Sequence, residues 1–221
     1  GMNLILSNMR QLSNAIKYTL LAVWIVAIGV LAAIIINEVT QTAFDGKAII
    51  KKQIPWQPKD TLMIKFVNNE FYDKDASPRN DDFYLLTDEK GKEVIYSNTI
   101  SLRIMETEVP QPYFRIEKLA VGKSAGEANS RAHKIDYGFK IQGNQLLFDT
   151  YWITAINNKF RKQRVEIYVY LPKGTLFKTD GSVRHYDSSN DDYFNLHYSS
   201  EDYLYRVDTD KVRCLNCPPD E

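Results

Sequence analysis

The stretch Arg164–Pro172, RVEIYVYLP, decides the fold. Val165, Ile167, Val169 and Leu171 fall on one side of an extended chain, and Glu166, Tyr168 and Tyr170 fall on the other. Successive side chains of a strand point to opposite faces, so this alternation predicts one buried and one wet face. Pro172 cannot donate to a ladder, and Lys173-Gly174 turns the chain away. The same period of two recurs on both sides. Upstream, TLMIKFV (61–67), EVIYS (93–97), TISLRIM (99–105) and YFRIEKLAV (113–121) alternate in turn. Closer in, IDYGFKI (135–141) and QLLFDTYWI (145–153) flank Gly143-Asn144 and predict a hairpin. Downstream, TLFKT, DYFNLHY, YLYRV and VRCLN return at intervals of roughly ten residues, a spacing that means a sandwich, a barrel or a stacked β-solenoid. Lys123–Lys134 (KSAGEANSRAHK) breaks the pattern. Ser124 followed by Glu127 has capping-box spacing and predicts one short helix. KDASPRNDD (74–82) reads as a polar surface loop, and Asp88–Lys92 as a turn.

The N-terminal part has a different character. Tyr18–Ile36 (YTLLAVWIVAIGVLAAIII) carries no charge and no proline. At about 1.5 Å per residue, a helix of that length matches a hydrocarbon core roughly 30 Å thick. Residues 18–36 are therefore expected to form one transmembrane helix, kept as an anchor rather than cleaved as a signal peptide. Gly29 and Ala33 lie four apart on one face, where small side chains let a second helix approach; they are the candidate helix-packing face. Leu4, Ile5, Met9, Leu12 and Ile16 recur at helical spacing, so residues 1–17 are expected to be an amphipathic juxtamembrane segment. Gly1 ahead of Met2 reads as a residue left by tag cleavage. Residues 37–58, with Pro55 and Pro58 around Trp56, are expected to be a stalk, and residues 59–221 the folded domain.

Twenty-eight basic residues balance 28 acidic ones among the 221, and no basic stripe interleaves with aromatics, so nucleic acid is not an expected partner. GxSxG, HExxH and a glycine-rich phosphate loop are missing, and Gly122-Lys123-Ser124 lacks the upstream glycine of a P-loop, Lys118 standing only about where it should be. A non-enzyme without cofactor or metal is the expectation. The polar cluster His185, Tyr186, Asp187, Asp191 and Asp192 lacks EF-hand order and reads as a solvated turn. Cys214 and Cys217 are the only cysteines. Their CxxC spacing suits a structural disulfide or two free thiols, half a metal site, or a redox couple; Pro218-Pro219 argues against the helix that a thioredoxin-like couple needs. Fourteen tyrosines are unusual. Tyr168 and Tyr170 share a strand face, and Tyr193, Tyr198, Tyr203 and Tyr205 lie close in sequence; together they are the candidate interaction surface.

Further residues carry a family resemblance. Ile116-Glu117-Lys118, Gly122-Lys123-Ser124, Glu127-Ala128, Ala132 and Ile135-Asp136-Tyr137 come first. Leu147-Phe148-Asp149, Asn158-Lys159-Phe160-Arg161, Gln163-Arg164-Val165 and Tyr170 through Thr175 follow, and then Leu204-Tyr205-Arg206 and Cys214-Leu-Asn-Cys217-Pro218. In order and spacing they resemble the C-terminal region of Bacteroidetes proteins with a PspC (phage shock protein C) domain, over Tyr18 to Pro218. The resemblance implies a toastrack-like domain of stacked short strands, outside the cytoplasmic (inner) membrane, acting in envelope-stress signalling. The expected partners are the lipid bilayer and other membrane or envelope proteins, with a homo-oligomer as a further candidate, and the resemblance transfers no catalytic residue. Such proteins also carry an N-terminal PspC domain with more membrane helices, which this sequence lacks. A stalk-displayed module for a small molecule or glycan is the other reading. A deep polar pocket would favour it, whereas a tyrosine face or an open sheet edge would favour a protein partner.

Overall fold

The structure, a computed structural model, describes residues 13–40, 43–73, 83–190, 192–194 and 203–217. Helix α1 spans Asn14–Thr40. Its residues 15–36 are exposed all round, and no part of that apolar stretch is buried against the domain. A helix apolar on every face has no place in water, so α1 has the length and composition to cross a membrane. Gly29 and Ala33 sit within it, and the space beside Gly29 is open. The amphipathic segment expected at 1–17 lies outside the described residues up to residue 12.

Behind α1 the chain is mainly β. Thirteen strands are described: β1 (Phe44–Gln53), β2 (Thr61–Val67), β3 (Phe83–Thr87), β4 (Glu93–Ser97), β5 (Ile100–Thr107), β6 (Tyr113–Gly122), β7 (Phe139–Gln142), β8 (Gln145–Asp149), β9 (Trp152–Ala155), β10 (Arg164–Pro172), β11 (Leu176–Thr179), β12 (Tyr205–Val207) and β13 (Val212–Cys214). They form a four-stranded sheet β1-β6-β10-β5, a six-stranded sheet β13-β12-β11-β2-β8-β7 and a three-stranded sheet β3-β4-β9. The pairs β10–β5, β11–β2 and β2–β8 are parallel. The four- and six-stranded sheets press their apolar faces together: Phe114 of β6 meets Phe148 of β8 edge-on, with ring centroids 5.4 Å apart.

The two short helices are α2 (Glu70–Asp73) and α3 (Ala125–His133). Ser124 caps α3, its Oγ accepting from Glu127 N–H at 3.2 Å, while Lys123 N–H donates to the Glu127 carboxylate at 3.3 Å. Ala128 and Ala132 are buried on the side facing β1 and β6, where Ala48 and Ala120 are also buried. The contact is close. A Cβ on Gly46 would overlap the backbone of Ala128 and Asn129, and one on Gly122 would stand 2.7 Å from Ala128 N.

Four sequence expectations need correction. Residues 37–58 are not a stalk: β1 occupies Phe44–Gln53 and pairs with β6 along its whole length. Its buried side is Gly46 and Ala48, which carry little hydrophobic signal because α3 leaves no room for more. The folded domain accordingly starts near residue 44, not 59. QLLFDTYWI is two strands, since the chain leaves the six-stranded sheet after Asp149 and enters the three-stranded one at Trp152. Asp136 and Ile153 exchange two backbone bonds (2.8 and 3.0 Å) across that step. IDYGFKI is a strand only from Phe139, because Asp136 bridges Ile153 of the three-stranded sheet and the chain joins β8 only at Phe139. Tyr193 and Phe194 belong to a turn closed by Asn190 O rather than to a strand, and the remainder of DYFNLHY lies outside the described residues. The loop expected at 74–82 is outside them too. Strand β3, FYLLT, has no sequence expectation behind it.

Candidate functional site: the outer face of the four-stranded sheet

One face of this sheet is packed and the other is a grid of polar and aromatic side chains set by the register. In β10, Val165, Ile167, Val169 and Leu171 are fully buried, which turns Arg164, Glu166, Tyr168 and Tyr170 outward. Antiparallel pairing sets Tyr113 beside Tyr170 and Arg115 beside Tyr168, and puts Glu117 beside Glu166. Parallel pairing adds Met105 beside Tyr170 and Arg103 beside Tyr168. On the far side β1 adds Lys51 next to Arg115, Ile49 next to Glu117 and Lys47 next to Leu119. The rows are thus an aromatic row, a row of cations around Tyr168, and a row centred on two carboxylates.

The contacts within the grid are specific. Tyr113 and Tyr170 stack with centroids 4.6 Å apart and planes 14° apart. Arg115 lies 4.8 Å from the Tyr168 centroid and 5.5 Å from that of Tyr170, and Lys51 Nζ lies 4.1 Å from the Tyr113 ring. Rings so placed present their negative faces to cations and hold those cations in position. Glu117, 3 % exposed, pairs with Lys47 and with Arg115 (3.0 Å). Glu166 pairs with Arg164 Nε at 2.9 Å and accepts from the Tyr168 hydroxyl at 2.7 Å. Both carboxylates are therefore engaged by their neighbours, while Lys51 and Arg103 stand exposed. Five cations (Lys47, Lys51, Arg103, Arg115 and Arg164) against three carboxylates (Glu117, Glu166 and, at the far end of β1, Asp45) make the face basic, although the whole chain is neutral.

Burial pushes the Tyr168 phenol up to about 12, helped by its bond to the Glu166 carboxylate. Burial alone would raise Glu166, but the Tyr168 and Arg164 bonds outweigh it and hold its carboxyl below the ordinary range. A phenol raised in the folded state contributes stability that is complete below its unfolded value near pH 10 and is lost as pH rises through about 12. The difference in alkaline tyrosinate absorbance between the protein and its Tyr168→Phe variant is expected to titrate near pH 12. In a Glu166→Gln background that midpoint should fall only part of the way, because burial, the larger cause, remains. An ordinary midpoint in the unmodified protein would contradict both the burial of Tyr168 and its bond to Glu166, and an unchanged midpoint in the Glu166→Gln background would contradict the bond alone.

The six tyrosines proposed as one surface do not stay together. Tyr168 and Tyr170 lie on this face. Tyr205 is a core residue, 1 % exposed, stacked on Phe177 at 5.3 Å, because β12 turns Tyr205 and Val207 inward. Tyr193 and Tyr203 pack half-buried against the same core, and Tyr198 lies outside the described residues. Burial raises the Tyr193 phenol, and the Glu106 carboxylate adds to the rise. Cys214 and Cys217 are joined by a disulfide at the end of β13. His185 ends a turn of 3-10 helix and Asp187 follows it, with the Asp187 carboxylate accepting from the Ser189 hydroxyl at 2.7 Å. Sequence reading did not single out Tyr113, Arg115, Arg103 and Lys51. The alternation of YFRIEKLAV already set Tyr113 and Arg115 on one side, but only the register brings them to Tyr168. A groove of about 420 Å³ runs along the β5 side of the grid, lined by Arg103, Met105 and Tyr168 with Ser188, Asn190 and Tyr193 opposite.

Three sheets of short strands, led by a helix with an uncharged apolar run and showing a tyrosine–arginine face, define a mainly β domain carried on a helix long enough to cross a membrane. A family model for the toast-rack domain found in some PspC proteins matches residues 86–220, more than half of the chain. The chain belongs to that toast-rack family. Strands β1 and β2, ahead of the matched residues, complete the four- and six-stranded sheets. No curated protein and no solved structure matches the chain.

Proposed function

We propose that α1 anchors this toast-rack domain in the cytoplasmic membrane, and that the domain works outside it without catalysis, docking another envelope protein in stress signalling of the PspC type. The observation that carries this reading is the grid of Tyr113, Tyr168, Tyr170, Arg103, Arg115 and Lys51. Tyrosine and arginine are enriched where protein interfaces concentrate their binding energy, and here they are already held by stacking and ion pairs, so little side-chain freedom is lost on docking. The Cys214–Cys217 disulfide supports an oxidising compartment, hence the outer side of the membrane.

A photo-reactive residue at Met105, exposed at the edge of the aromatic row, tests it in cells. It is expected to cross-link one protein, and Tyr170→Ala or Arg115→Ala should cut that yield at least tenfold with the fold intact, the loss an interface hot spot gives. Cross-links that ignore both substitutions, or that reach lipid alone, would sink the reading. Protease protection of the domain in intact cells tests its side. The groove beside Tyr168 favours a second reading, a site for a small molecule or glycan, which would show as cross-linking blocked by that ligand.

A further inference from the structure

The two edges of the four-stranded sheet differ. Along β5 the chain seals its own edge: Leu102 N–H donates to Tyr186 O at 2.7 Å, Leu102 O accepts from Ser188 N–H at 2.8 Å, and Ile104 N–H donates to Ser189 Oγ at 2.9 Å. Along β1 the register fixes which groups face out. Val121 N–H bonds Arg161 O on the β10 side, so the odd-numbered residues of β6 serve β10 and the even-numbered ones serve β1. Ala48, Ile50 and Lys52 therefore carry the β1–β6 ladder, and the odd-numbered residues of β1 turn their N–H and C=O outward. Lys47 N–H confirms the direction: it donates to Asn129 Oδ1 of α3 at 2.9 Å. No described residue bonds the outward groups of Ile49, Lys51 and Gln53.

Helix α3 closes the Gly46 end of this edge, where it lies on the glycine itself. What stays open is Ala48–Gln53, about 20 Å at ~3.3 Å per residue, the length of an ordinary strand. Lys47, Lys51 and Lys52 are exposed there, and Ile49 between them is 56 % exposed. A second copy is a poor occupant: an antiparallel pair centred on Ile49 sets Lys47 of each copy opposite Lys51 of the other. The same lysines attract a strand bearing carboxylates.

We propose that the free edge of β1 over Ala48–Gln53 takes up an extended segment of a partner protein as an added strand, with the segment's acidic side chains on the face shared with Lys47 and Lys51. Main-chain bonds to Ile49, Lys51 and Gln53 supply affinity, and the lysines select charge. This edge and the tyrosine grid share Lys51 but still fail separately, since Ile49→Pro spares the grid's rings and cations and Tyr170→Ala spares the edge.

The test uses the full chain, isotope-labelled in zwitterionic micelles, with a peptide alternating glutamate and valine or one alternating lysine and valine. The glutamate peptide is expected to slow amide exchange at Ile49, Lys51 and Gln53 at least tenfold and to leave Ala48, Ile50 and Lys52 unchanged, while the lysine peptide does neither. Ile49→Pro removes an outward donor and no ladder bond, and should abolish the protection at Lys51 and Gln53. Lys51→Glu, a gentler change, should reverse the preference between the two peptides. Failure of the glutamate peptide to protect overturns the proposal. So does protection already present without peptide, which concentration dependence assigns to a second copy or to the chain's own segment. Protection produced by anionic lipid alone overturns it in favour of the bilayer surface.

Discussion

Trp152→Ala is expected to lower the free energy of unfolding by about 3–5 kcal/mol, the usual cost of emptying a large aromatic site in a packed core. Trp152 is fully buried in β9, and its indole N–H donates to Thr99 O at 3.3 Å, just ahead of β5. That one side chain joins the three-stranded sheet to the four-stranded one, so neither can close over the space it would leave. With a urea slope of ~2 kcal/mol/M, the midpoint followed by circular dichroism should fall by about 2 M. Trp152→Phe keeps most of the volume and loses the donor, which should cost only ~1–2 kcal/mol. A loss below ~1 kcal/mol for the alanine variant would show that the sheets are held together elsewhere.

The second large effect is expected at a glycine. Gly46→Ala should destabilise by about 3 kcal/mol, the upper end of overpacking, because its Cβ would overlap the backbone of Ala128 and Asn129 rather than a side chain that can rotate away. To make room, α3 must lift from β1, taking Ala128 and Ala132 off Ala48 and Ala120. Gly126→Ala, in α3 itself, has open space around its Cβ and should be neutral or stabilising by ~0.5–1 kcal/mol, since alanine is the better helix former. The same chemical change is thus expected to act with opposite signs on the two sides of one contact. Equal effects in parallel urea titrations would refute the close approach.

These two sites also mark what could be read from the chain. RVEIYVYLP declares itself because its buried side is Val, Ile, Val and Leu, and the structure keeps it as β10 over the same residues. The short helix declared itself through Ser124 and Glu127: the Ser124 cap bond forms as the spacing calls for, and the Glu127 carboxylate reaches back one residue further, to Lys123 N–H. β1 was hidden because its covered side is Gly46 and Ala48, residues chosen for the nearness of α3 rather than for hydrophobicity. The division of 145–153 was hidden as well: Trp152 continues the apolar run, and only the Asp136–Ile153 bonds show that the chain has changed sheets. For the candidate face, Tyr168 and Tyr170 were legible within one strand, whereas Tyr113, Arg115 and Arg103 reach them through register. Tyr205 misled for the opposite reason, since a tyrosine in a three-residue strand gives no sign of which way it points.

Only three residues separate Thr40, the end of α1, from Phe44, the start of β1. Any pull exchanged between helix and domain must therefore enter through Phe44 and travel along the first strand. A tug along that axis loads all ten β1–β6 residue pairs at once, in shear, rather than opening them one by one like a zipper. The strand that offers its edge is thus also the mooring line, and a guest clamped along that edge would share the strain and stiffen the tether.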